Sequence, residues 1–97
     1  MANALLSIQI IPKTLKYDDV IPYVDRAIAV INASEVKYRV APLETTMEGE
    51  LGQLLDIVKV MNEAMIDDGC PAVISQVKIF YNPTHGASMD KLTEKYD

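Results

Sequence analysis

Val36-Lys37-Tyr38-Arg39-Val40-Ala41-Pro42-Leu43-Glu44-Thr45-Thr46-Met47-Glu48-Gly49 is the stretch that decides the fold. Val36, Tyr38 and Val40 alternate with Lys37 and Arg39, the period-2 pattern of a strand with one buried face. Pro42 breaks that strand, because its nitrogen carries no hydrogen to give to a sheet. Glu44 to Met47 then returns as another strand, and the β-branched pair Thr45-Thr46 suits extended backbone. Gly49 marks the exit. The segment is therefore a hairpin, and helix-periodic sequence lies on both sides of it.

On the N-terminal side, Val20, Val24, Ala27, Ile28 and Ile31 recur at helical spacing and make one apolar stripe. Tyr17-Asp18-Asp19 opens this helix, where either aspartate can cap free N–H groups and suits the positive end of the helix dipole. Pro22 is tolerated in the first turn, where its missing N–H is not needed, and Asn32 to Glu35 ends the helix. Before it, Ala4 to Ile11 reads as a strand: Leu6, Ile8 and Ile10 alternate with Ser7 and Gln9, and Pro12 is expected to stop it. Lys13 to Lys16 is a polar loop. On the C-terminal side, Leu51, Leu54, Leu55, Val58, Met61 and Met65 are assigned to one face of a second helix, which Gly69 and Pro71 end. Ala72 to Tyr81 is a fourth strand. Asn82-Pro83 and Gly86 form a turn, and Ser88 caps a short helix from Met89 to Tyr96.

The order βαββαβ, read over residues 1–97 as one domain, predicts an α+β, ferredoxin-like arrangement. It has a four-stranded antiparallel sheet, two helices on one face and a short C-terminal helix. Helices on one face leave the other uncovered. That face is expected to carry Leu5, Ser7, Gln9 and Ile11, with Lys37 and Arg39 or their neighbours, and with Ile74, Gln76, Lys78 and Phe80 or the residues of opposite parity. It is too apolar to stay wholly wet, so packing against another copy, as a homodimer or homotetramer, is a natural solution.

With 97 residues, 49% apolar and 24% charged, the chain has an ordinary globular composition. A formal net charge of -5 disfavours nucleic acid and anionic membrane as partners. No apolar run approaches the roughly 20 residues of a membrane span, and no signal peptide is read in Met1-Ala2-Asn3-Ala4, so the cytoplasm is the expected location. The single cysteine, Cys70, excludes an internal disulfide and reads as structural. One histidine, His85, cannot build a triad or a multi-histidine metal site within one chain. There is no Gly-rich phosphate loop, no G-x-S-x-G elbow and no C-x-x-C. No catalytic residue, metal or cofactor is therefore expected.

Two hydroxyls, a carboxylate and a glycine cluster where the hairpin feeds the second helix. The plainest reading is structural, with Thr46 or Glu48 serving backbone N–H groups at the start of that helix. The same residues also carry a resemblance. Leu6-Ser7-Ile8-Gln9-Ile10-Ile11-Pro12, Tyr23-Val24-Asp25-Arg26-Ala27-Ile28 and above all Lys37 to Glu50, with its Tyr-x-Val-x-Pro and Thr-Thr-x-Glu-Gly elements, resemble a small bacterial and archaeal family of thiamine-binding proteins. The resemblance runs to about Tyr81. It implies a ferredoxin-like fold, assembly into dimers and tetramers, and non-catalytic binding of thiamine or its hydroxymethylpyrimidine portion. It points to Ser7, Tyr38, Thr45, Thr46 and Glu48 as pocket residues. Gln9 departs from the basic residue that some relatives carry there.

The chemistry is compatible. An aminopyrimidine offers ring-nitrogen acceptors and an amino donor, which Ser7, Gln9, Thr45 and Thr46 can match. A thiazolium cation is favoured by the Glu48 carboxylate or the face of Tyr38. The alternatives are a regulatory oligomeric module that senses another small metabolite, and an enzyme acting on a thiamine-like compound through His85 or Cys70.

Overall fold

A computed structural model describes residues 2–13 and 20–96. Along the chain come β1 (Ala4–Lys13), α1 (Ile21–Ala33), β2 (Lys37–Val40), β3 (Thr45–Gly49), α2 (Leu51–Asp67), β4 (Ala72–Tyr81) and α3 (Met89–Thr93). A 3-10 turn over Glu94–Tyr96 follows. The sheet order is β2-β3-β1-β4, and every neighbouring pair is antiparallel. This is the ferredoxin-like arrangement that the hairpin and its flanking helices imply.

Register fixes the faces, because residues directly opposite in an antiparallel pair share one side. Leu6 lies opposite Met47 and Ile79, and these point to the helices. Leu6, Ile31, Met47, Leu54, Met61 and Met65 are fully enclosed there. Each such side chain contributes about 1.5–3 kcal/mol by leaving water, so this layer carries most of the stability. Ser75 Oγ donates to Asn62 Oδ1 (2.8 Å), fastening α2 to β4. The end of α2 follows the stop signal in the sequence. Gly69 takes φ +103°, and the N–H groups of Gly69 and Cys70 bond the carbonyls of Ile66 and Met65 (both 3.0 Å).

Three expectations need correction. Pro12 does not end β1: it pairs with Val73, and the strand runs on to Lys13. β3 begins at Thr45, opposite Ile8, so among the described residues the end of β1 has a neighbour on one side only, where a proline is tolerated. Leu55 is exposed, whereas Ile57 and Ala64 are buried with Leu54 and Met61. Leu55 sits about 100° round the helix from Leu54, outside the stripe. The start of α2 is not served by Thr46 or Glu48. Asn3 Oδ1 accepts from the Leu51 N–H instead (3.0 Å), because Asn3 immediately precedes β1, whose Ala4 lies opposite Gly49. The helix opening assigned to Tyr17-Asp18-Asp19 lies outside the described residues; α1 starts at Ile21 with Pro22 in its first turn.

Candidate functional site

The face away from α1 and α2 carries the β1 residues expected of it, and register settles which residues of the other strands join them. Leu5 stands opposite Glu48 and Phe80, Ser7 opposite Thr46 and Lys78, Gln9 opposite Gln76 and Ile11 opposite Ile74. Lys37 and Arg39 join them opposite Glu48 and Thr46. At the centre, the Ser7 and Thr46 hydroxyls meet at 2.7 Å. Either can donate, so the pair can present a donor or an acceptor to a third group.

The chain itself covers one end of this face. After β4, the Asn82 N–H donates to the Asn3 carbonyl (2.8 Å) and the Ala87 N–H to the Ala2 carbonyl (3.0 Å). Gly86, at φ +80°, allows the tight turn between them. Ala87 and Met89 then pack on Leu5 in a second, smaller apolar cluster. Ser88 caps α3 by accepting from the Lys91 N–H (3.3 Å), and Glu48 Oε1 accepts from the Met89 N–H (2.8 Å). Asp90 reaches back to the sheet, where it contacts Lys37 and accepts from Arg39 Nη2 (3.0 Å). The hydrogen bond from Lys37, with its positive charge, holds the Asp90 carboxyl below the usual carboxylate range. The same hydrogen bond raises the Lys37 ammonium. These charges are exposed and screened, so their pairing directs α3 more than it stabilises the fold.

Between α3 and the sheet lies a cavity of about 480 Å³, lined by Glu48, Phe80, Asn82, His85, Ser88, Lys91 and Leu92, among others. A shallower trough of about 260 Å³, lined by Leu5, Ser7, Thr46, Lys78, Ile79 and Phe80, adjoins it at Phe80. The larger volume falls in the range of small-molecule sites, and the lining mixes an aromatic face with a few polar groups, as such sites do.

The sheet divides the six candidate residues. Ser7, Thr46 and Glu48 line these two hollows, and Gln9 shares their face beyond Ser7. Tyr38 and Thr45 point the other way. Tyr38 lies opposite Met47 on the helix side and its hydroxyl donates to Asn32 Oδ1 (3.3 Å). Thr45 lies opposite Ile8 and is buried. It borders a smaller cavity of about 190 Å³ under α1, with Pro42, Leu43 and Glu44 at the rim. Consecutive residues of a strand face opposite sides, so Thr45 and Thr46 cannot meet in one pocket.

Alternation leaves the parity of β4 open, and its register with β1 puts Lys78 and Phe80 on the open face. His85, Ser88 and Lys91 come from the C-terminal segment, and no local pattern says that it folds back over the sheet. Cys70 belongs to the main core. Burial, with a smaller contribution from Asp68, pushes its thiol up, away from the reactive thiolate. Among the described residues, no cluster of three or more histidine, cysteine, aspartate or glutamate side chains is placed to hold a metal. No helix among them is long and apolar enough to cross a membrane.

The pattern of the family described as thiamine-binding protein matches residues 6–97. A Clostridium perfringens protein of the UPF0045 group is 42% identical, with 99% of each chain covered. A Bacillus cereus structure of the DUF77 group superposes with a TM-score of 0.92 at 41% identity, covering 99% of this chain and 91% of that one. A Thermotoga maritima structure, ascribed to thiamine biosynthesis or salvage, gives 0.85 at 28% identity, covering 98% and 99%.

Proposed function

The chain belongs to the thiamine-binding protein family, and from that membership we propose that it binds thiamine, or the hydroxymethylpyrimidine half of it, in the cytoplasm without transforming it, as a carrier, buffer or sensor. The observation that carries this reading is the open-face site, where the hydroxyl pair Ser7–Thr46 lies beside Phe80 and the Glu48 carboxylate. In this reading the pyrimidine rests against Phe80, and its polar edge is matched by Ser7 and Thr46. Gln9 stands as a further donor or acceptor beyond Ser7. Glu48 offsets the thiazolium charge. Phe80 takes the aromatic role first assigned to Tyr38, and Tyr38 and Thr45 support the sheet from behind. The sole histidine and a buried thiol favour binding over chemistry.

Thermal unfolding with thiamine and with hydroxymethylpyrimidine tests this. A ligand at a hundred times its dissociation constant adds about 2.7 kcal/mol to the native state, so a clear upward shift in melting is expected. Glu48→Gln is expected to reduce the shift with thiamine more than with the uncharged pyrimidine. No shift with either compound at millimolar concentration would remove the assignment.

A second reading has one observation in its favour. Lys78 and Lys91 border the two hollows, which suits an anionic metabolite sensed by a regulatory oligomeric module. Stabilisation by anionic metabolites but not by thiamine would select it.

A further inference from the structure

The solvent side of the α1–α2 pair is not uniformly polar. Ala29, Val30 and Ala33 of α1 line a hollow of about 420 Å³ with Ile57 and Val60 of α2. A second hollow of about 440 Å³, lined by Glu63, Ala64, Ile66 and Asp67, continues it towards the end of α2, and Arg26 and Val60 border both. Val60 and Ile66 are nearly half exposed, on the side of a helix where polar residues are the rule. From Gln53 to Asp67 the two hollows follow α2 for about 21 Å. That is longer than a small metabolite needs and is the length of about four helical turns.

Charge says what fits. Asp56, Glu63 and Asp67 stand along this side of α2 and border the hollows, and among the described residues none of the three forms an ion pair. Arg26, the only cation that borders either hollow, is already met by Asp68 (3.5 Å). Lys59, the only cation of α2, borders neither. An apolar floor with a row of unpaired carboxylates on one rim is complementary to an amphipathic helix that has lysines or arginines beside its apolar face.

We propose that this groove docks a basic amphipathic helix of a partner protein, laid along α2 as a third helix. Its apolar residues enter between α1 and α2, and its cations meet Asp56, Glu63 and Asp67. A second copy would set the acidic rim against a chain of net charge -5, and an anionic membrane would meet the same repulsion. The groove and the cavity beneath α3 lie on opposite sides of the sheet, so the proposal does not rest on the ligand reading.

Fluorescence anisotropy with a labelled peptide tests this. The probe is a helix of about 14 residues, the length of the groove, with leucines on one face and lysines on the other. One-to-one binding that weakens in high salt is expected, and none is expected when glutamates replace the lysines. Val60→Asp, which puts a charge on the apolar floor, is expected to weaken binding roughly tenfold or more. Glu63→Lys, on the exposed rim, is expected to weaken it roughly three- to tenfold, with a cooperative melt showing both folds intact. Glu94→Lys, the same reversal beyond α3 on the far side of the sheet, is expected to change nothing. No binding, or binding indifferent to Val60→Asp, would overturn the proposal. Equal weakening by Glu94→Lys and Glu63→Lys would also overturn it, since overall charge alone would then hold the peptide. Loss of a wild-type assembly on Val60→Asp, seen by sedimentation, would give the groove to a second copy. Displacement of the peptide by octylamine at equal concentration would give it to a small cationic amphiphile. Either result would contradict the proposal.

Discussion

Leu5 and Leu6 are neighbours in β1, yet they stand in different environments. Leu6 is wholly enclosed between the sheet and two long helices, among Ile31, Met47, Leu54, Met61 and Met65. Leu5, on the other face, is covered chiefly by Ala87 and Met89 from the C-terminal segment. One face is closed by elements with broad apolar stripes. The other is closed at one end by a helix of five residues held by a few polar contacts, and the remainder is open. A small domain thereby separates tasks: the helix side supplies stability, and the open side keeps polar groups available that a core would have to bury.

The largest expected effect breaks that contrast at its strongest point. Leu6→Ala should cost about 3–5 kcal/mol, near the top of the range for a core leucine. Leu5→Ala should cost about 2 kcal/mol, because the thin segment over it can settle into the gap. Chemical denaturation of the two variants measures both. Equal losses would mean that the two faces are equally close-packed.

A smaller effect is expected at Glu48. Glu48→Ala removes the acceptor of the Met89 N–H and should cost about 1–2 kcal/mol. The loss should be concentrated in faster amide exchange at Met89 and the following turn. Uniform loosening of the whole domain would instead place Glu48 in the stability of the sheet.

The smallest effect is expected at Asp90, and pH gives its sign. The folded carboxyl is held below its ordinary range. Its contribution is therefore complete above the unfolded carboxylate pKa and disappears as pH falls through the folded one. Lys37, raised in the fold, contributes below its ordinary pKa and loses that contribution as pH rises through its folded value. Asp90→Asn should therefore lower the melting temperature slightly at neutral pH, less in high salt, and not at all once the wild-type carboxyl is protonated. A difference that persists in acid would show that Asp90 acts by packing and not by charge.

The fold was legible because its signals are periodic. The alternation in Val36 to Val40 and in Leu6 to Ile10, with the stripes through Ala27 and Ile31 and through Leu54, Met61 and Met65, specifies element type and buried face together. Pro12 was misread because propensity sees a missing N–H but not whether the strand has a second neighbour at that point. The site was half legible. Alternation placed Ser7 and Gln9 on one face and left the parity of Lys78 and Phe80 open until register fixed it, and a motif read as a block set Thr45 beside Thr46. The pleat separates them. The return of Ala87 to Leu92 over Leu5 depends on contacts between the two ends of the chain, such as Asn82 with Asn3, and sequence periodicity does not encode such long-range docking.

The central claim is that the ligand lies on the open face, and calorimetric titration of thiamine against Thr45→Val and Thr46→Val tests it most directly. The two substitutions are chemically identical, and the two positions are adjacent on opposite sides of the sheet. The account predicts that Thr46→Val weakens binding about five- to tenfold, the scale of one lost hydrogen bond, while Thr45→Val leaves affinity unchanged. The reverse order would put the ligand on the helix side and contradict the account.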